Sequence, residues 1–473
     1  MKKTGDEYFD SQEFHELLDD YEKAVGSGQP VFMDADELAE IADYYQMTGH
    51  PDSAEAAITL ALDLAPGAVV PLVYKIHEAL YNNDIEEAER LLSQIIDTTN
   101  PEYVYVEGEI MLAKNMSDKA DRYFREQFAH MQPDEYQDFI IDVASIFEDY
   151  GYDELAMAWM KRAKKEDTPD YKELMARMLF GMGKYKDSEK IWGELVDTDP
   201  FSNRYWAALS SAQFMNEDYS GAVQSSEYAI AIDPKDPQAL IAKANGLYRL
   251  GNYEDALDYF HRYSELVPDD EYALMHQGIC MVNLGRTEEA VVMLNRANDV
   301  APSDSPYLCD ICQEMAFALC EQQHFDEAME WLVRTDDIEC DHTQILVVKG
   351  HVKLASGDLE QAERYFRKAV IESDTPHTTL LRTIVSLYDN KYAEGAYQLF
   401  KSFFRIVPED FADGYAYMAL CCYDLKKWDE FLAYLKQACE LNPHECSLVL
   451  NHLFPEDVSP EDYYKYMVER IKG

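Results

Sequence analysis

Residues 250–270 read LGNYEDALDYFHRYSELVPDD: a glycine, an alanine, two aromatics and a proline at set intervals, with acidic residues between them and no obvious catalytic group. Pro268 cannot continue a helix, so it closes the helix before it. Gly251 permits the positive φ that a helix C-terminus often needs. Ala256 and Ala244 are small enough to let two helices approach closely. Tyr253 and Phe260 are large enough to fill the space between one helix pair and the next. The spacing predicts two amphipathic helices, over 238–250 and 253–266, joined by a tight turn at Gly251 and Asn252.

The same marks recur. Pro200, Pro234, Pro268 and Pro302 follow one another at 34 residues, as do Ala222, Ala256 and Ala290, and Gly251 and Gly285. A single helix pair cannot bury its apolar face, whereas a stack of pairs can. The best copies are 203–236, with Trp206, Leu209, Tyr219, Ala222 and Pro234, and 271–304, with Leu274, Gly278, Gly285, Ala290, Ala297 and Pro302.

This pattern resembles the tetratricopeptide repeat, W-x2-L-G-x2-Y…A-x3-F…P, in a bacterial, multi-repeat style. Weaker copies extend it over 35–444, about twelve repeats in all. The resemblance implies an all-α superhelix, a solenoid of helix-turn-helix repeats with capping helices at its ends. The organisation expected is an N-terminal helix and loop (1–34), the tandem array (35–444) and C-terminal capping helices (445–473), with no linker long enough to separate independent domains. Residues 6–25 are expected to form one helix ahead of the array. Ser459 and Asp462 suggest a capping box that opens a last helix. The interval from Ala290 to Ala328 is 38 residues, which suggests a first helix one turn longer over 306–323. Phe431 stands where the last repeat should have its alanine.

Composition narrows the function classes. The chain has 473 residues, too many for one compact core, which implies either several domains or an elongated repeat array. Acidic residues number 91 against 41 basic ones, a formal charge of −50. That disfavours nucleic acid and anionic lipid, and any electrostatic partner should be basic. The N-terminal MKKTGDEYFD lacks the apolar core of a signal peptide, and no apolar run is long enough to span a membrane. All nine cysteines lie between Cys280 and Cys446, which reads as reduced thiols in a cytoplasmic protein.

No Walker, nucleophile-elbow or zinc-protease motif is present, so the chain reads as non-catalytic, with no cofactor and no metal. Cys309, Cys312, Cys320 and His324 share a helix stripe, but Cys309 and Cys320 stand roughly 16 Å apart along it and cannot share an ion. Core packing is the better reading of these cysteines. Cys439, His444, Cys446 and His452 are suitable ligand types in a spacing that matches no common zinc site. Lys161, Arg162, Lys164 and Lys165, the densest basic run, sit where a helix C-terminus favours cations.

The resemblance implies that the first helix of each pair lines a groove holding an extended peptide or a helix. The residue after each small position should face it: Asp43, His77, Glu109, Ser145, Arg177, Ser211 and Asn245, then Ile279, Gln313, His351, Ile384 and Leu420. The polar stretch nominates Arg177, Arg204, Ser211, Asn245, Tyr248 and Arg249 as the partner-binding residues. The alternative reading of the arginines is pairing with local carboxylates such as Glu173 or Glu217. The apolar column at Ile279, Ile384 and Leu420 suggests self-association through the C-terminal repeats. The function expected is a protein-interaction scaffold or adaptor; a peptide- or ligand-sensing receptor using the same groove is the alternative.

Overall fold

A computed structural model describes residues 6–9, 11–132, 135–164, 167–338, 340–408, 410–455 and 458–472. Among these residues every regular element is a helix. The helices gather into two compact units, Met1–Thr198 and Asp199–Gly473.

Local sequence explains why each helix begins and ends where it does. Asp236 caps Pro237–Arg249 by accepting from Gln238 N, and Pro237 occupies the first turn, where no amide donor is needed. Asp270 caps Glu271–Asn283 through Ala273 N. At the other end of Pro237–Arg249, Gly251 N donates to Tyr248 O and Asn252 N to Leu247 O, which turns the chain and starts Tyr253–Leu266.

That turn is repeated throughout. Gly49, Asn83, Asn115, Gly151, Gly183, Glu217, Gly251, Gly285, Gln323, Gly357, Lys391 and Lys426 all have φ between 56° and 84°. Each sits between the two helices of one pair. Among the described residues this gives five pairs in the first unit, from Ala35–Met47 with Pro51–Leu64 to Pro169–Gly181 with Tyr185–Thr198. The second unit has seven, from Asn203–Met215 with Tyr219–Ile232 to Tyr415–Asp424 with Trp428–Leu441.

The small positions hold the pairs together. Ala244, Ala256 and Phe260 are fully buried. Where serine replaces alanine, its hydroxyl finds a carbonyl across the pair: Ser188 Oγ donates to Ala176 O and Ser210 Oγ to Ala222 O, both at 2.8 Å. At most joints the first helices of neighbouring pairs also pack on one another, which gives each unit an inner face.

Four expectations need correction. The N-terminal segment is two helices, Asp6–Phe9 and Gln12–Ser27; Ser11 caps the second by accepting from Phe14 N. The extra residues after Ala290 lengthen the connection over 301–307, while the helix that follows, Leu308–Glu321, is of ordinary length. Ser459 makes no side-chain cap; a short 3-10 turn, Pro460–Asp462, leads into Tyr463–Lys472 instead. Ile384 is fully buried, because it takes the place in its repeat that Gly350 takes one repeat earlier.

The second unit curls on itself. Its late helix Pro443–Leu450 reaches back to the first pair of the unit, where the His444 ring lies 5.4 Å from Tyr219. Glu445 on that helix accepts from Gly414 N and Ala416 N, supplying the cap that Gly414 cannot.

Candidate partner-binding site

The nominated residues divide between the two units, Arg177 in the first and the other five in the second. Arg177 pairs with Glu148 and with Asp149 (2.9 Å) of the preceding repeat. Its neighbours along the same column are also paired: His77 Nε2 stands 3.0 Å from Glu109 Oε2. Burial works against a charged His77, but Glu109 outweighs it and raises the imidazole above its usual range.

In the second unit, Arg249 donates to Tyr219 Oη (2.7 Å) and lies over its ring. Arg204 is exposed and lies over Tyr205. Ser211 Oγ donates to its own helix at Ala207 O, 3.1 Å away. Asn245 Oδ1 accepts from Tyr272 Oη at 2.8 Å, and Tyr248 stands edge-on to His276. Asn245 and Tyr248 thus come together in an aromatic group, while Arg204 and Arg249 rest on tyrosines of their own and adjacent helices.

A hollow of roughly 310 Å³ opens farther along the same inner face. Its walls come from the first helices Leu308–Glu321, His342–Ala355, Pro376–Asp389 and Tyr415–Asp424. Phe317, Val347, Val348, Leu381 and Val385 give it an apolar floor, and Tyr417 closes one side. The repeat period makes this floor: Val347 and Leu381 are 34 residues apart, as are His351 and Val385. Reading Ile384 as the inner residue missed Val385 by one position.

The polar edge of the hollow is ordered. Arg382 donates to the Gln344 side chain. His351 Nδ1 lies 3.0 Å from Ser386 Oγ and 3.2 Å from Asn390 Nδ2. The Asn390 amide can only donate, so Nδ1 accepts and the ring proton sits on Nε2. Loss of surrounding water pushes His351 down to about 4, so it is neutral at pH 7. The same loss pushes Asp389 up to about 6, Lys391 opposing and Glu321 reinforcing it. An apolar floor with a few fixed polar groups is the usual make-up of a ligand or side-chain pocket.

The tetratricopeptide repeat family models match residues 174–237, 213–278, 247–308 and 343–370. These matches fall on helix pairs with the left-handed turn just described. The chain is a multi-repeat tetratricopeptide repeat protein. No curated protein sequence matches it. Among solved structures it is similar to a tetratricopeptide repeat protein from Parabacteroides merdae, at 17% identity over 54% of this chain and 99% of that one, TM-score 0.44. It is also similar to the APC/C hetero-tetramer Cut9–Hcn1 (15% identity, 94% of both chains, TM-score 0.36). A third similarity is to YrrB, described as a tetratricopeptide protein with an unusual peptide-binding site (16% identity, 42% of this chain and 97% of that one, TM-score 0.33). The repeat models and the helix pairing, rather than these overall likenesses, decide the family.

In this tetratricopeptide protein the cysteines depart from the all-thiol expectation. Cys309 is bonded to Cys340, which ties the start of Leu308–Glu321 to the loop before His342–Ala355. Cys280, Cys312 and Cys320 are buried thiols, as core packing requires. Cys439 and Cys446 are buried thiols, while the His444 ring lies against Tyr219. Among the described residues no three His, Cys, Asp or Glu side chains converge as a metal site. Of the basic run, Arg162 stacks on Trp159, 4.0 Å from the ring centroid, and Lys165 lies outside the described residues. Among the described residues no helix is long and apolar enough to cross a membrane.

Proposed function

We propose that this protein is a non-catalytic scaffold whose second unit binds a segment of a partner protein along the inner face of its first helices. The observation that carries the reading is the hollow walled by four consecutive first helices, with Leu381 and Val385 beneath and Arg382, His351 and Asp389 at its edge. An apolar side chain of the partner would fill the floor, and the neutral His351 Nε2–H would donate to the partner's backbone. Tetratricopeptide repeats generally serve as protein-binding scaffolds, which agrees with this use. Arg204, Ser211, Asn245, Tyr248 and Arg249 extend the same surface; Arg177 would serve the corresponding face of the first unit.

The test is site-specific photo-crosslinking of the full chain in lysate. A crosslinker at Val385 should yield a discrete adduct that Leu381→Glu abolishes. One at Val292, exposed on the second helix Thr287–Val300, should yield none. Adducts from Val292 but not from Val385 would overturn the reading. The size of the hollow supports a second reading, a receptor for a small ligand or short peptide, since ligand pockets begin at about 300 Å³.

A further inference from the structure

We propose that the inner face of the second unit contains a cation-binding site, where a Lys or Arg side chain of the partner segment seats on the rings of Tyr248, His276 and Tyr272 beside Glu314. The proposal rests on the inner-face reading above and adds the chemistry of the partner at a second place on that face.

The rings form one surface. Tyr272 lies 4.1 Å from His276 and 5.2 Å from Tyr307, and Tyr248 meets His276 edge-on at 5.3 Å. They are held in place: Tyr272 Oη donates to Asn245, and His276 Nδ1 donates to Tyr272 O at 3.0 Å. The remaining imidazole nitrogen is then an acceptor, and burial lowers the ring's basicity, so His276 brings no competing positive charge.

Glu314 stands beside this surface, near enough to Tyr248 to raise its phenol after burial has done most of that work. Glu314 is only partly accessible, and among the described residues no donor or cation pairs with it. One turn earlier on the same helix, Asp310 carries the same sign. Between them the Gln313 amide is 5% exposed; its Nε2 lies 3.3 Å from Asp310 Oδ1, and its buried Oε1 has no partner among the described residues. Burial, with Asp310 reinforcing it, pushes Glu314 up to about 7. The arrangement therefore disfavours the negative charge it carries until a cation arrives.

Aromatic faces with an adjacent carboxylate are what a guanidinium or ammonium group needs once it leaves water. Arg249, whose charge reaches Tyr248 and Tyr272, is committed to Tyr219. A chain of net charge −50 also draws basic segments toward it at long range.

The experiment is selection of short random peptides displayed on phage against the immobilised full chain, run in parallel on Glu314→Gln and Val385→Glu. Selected peptides should contain Lys or Arg. Replacing that residue with glutamine should weaken binding to the unmodified protein about tenfold, and to Glu314→Gln less than twofold. Tyr248→Leu serves as a second variant should Glu314→Gln lose its helical signal. Peptides with no basic preference that still lose binding on Val385→Glu would overturn the cation site and leave the inner-face reading intact. Basic peptides that bind Glu314→Gln as tightly as the parent would also overturn it, assigning them to the general acidic surface. No selected peptide at all would remove both.

Discussion

Phe124 occupies the space that a side chain at Gly108 would need: a Cβ there would lie 2.0 Å from the Phe124 Cζ. The ring is fully buried and meets Phe147 and Trp159 edge-on, so it has little room to retreat. Gly108→Ala should therefore cost about 1–3 kcal/mol, the usual range for overpacking. Urea unfolding measures it, and an alanine variant as stable as the parent would show that the ring can move aside.

Lys391 holds φ at 70°, in the left-handed region that glycine occupies in other turns of the array. An L-residue there costs about 1–2 kcal/mol, partly offset by the looser unfolded chain that glycine brings. Lys391→Gly should raise stability by about 0.5–1 kcal/mol. An unchanged or lower midpoint in urea would mean that Lys391 has gained a compensating contact.

Glu314 gives a pH-dependent effect. Its folded pKa, about 7, lies above the ordinary value of 4.5, so ionisation opposes folding. The cost is absent well below pH 4.5, grows as pH rises toward 7 and is constant above it. Glu314→Gln should stabilise the protein at pH 8 by on the order of 1–2 kcal/mol, and by clearly less at pH 5.5. Equal gains at both values would assign the effect to packing instead.

The Cys309–Cys340 bond closes a loop spanning one helix pair. Cys340→Ser should lower stability by about 3 kcal/mol under oxidising conditions. With a reductant present the variant and the parent should coincide. A difference that persists in reductant would place the effect in packing around residue 340.

Much of the fold is legible in the sequence because the period is enforced by residues with narrow roles. Pro234 and Pro268 mark the joints, Ala222 and Ala256 the close approaches, and Gly251 and Gly285 the turns. The turns at Glu217, Gln323, Lys391 and Lys426 are not legible, because a left-handed residue without glycine leaves no compositional sign; only the count from neighbouring repeats finds them. The site is less legible. Asn245 and Tyr248 do lie in an inner-face aromatic group, but Arg177 is held by Glu148 and Asp149 through contacts that cross repeats. The hollow was missed because Thr383 looks like the small position, whereas the interval from Gly350 puts Ile384 there. The Cys309–Cys340 bond joins residues that share no repeat position, so periodicity is silent about it.

The connection over 301–307 acts as a phase shift in an otherwise regular ruler. Left-handed turn residues fall 34 apart from Glu217 to Gly285, then 38 apart to Gln323, and 34 apart again to Gly357 and Lys391. The slack lies outside the helix pairs, so each pair keeps its packing while everything beyond the joint is displaced as a block. The Tyr248–His276–Tyr272 surface lies before this joint, and Glu314 and the hollow lie after it. Adding or removing residues at 301–306 would thus retune how the two halves of the proposed binding surface are matched, without touching a residue in either.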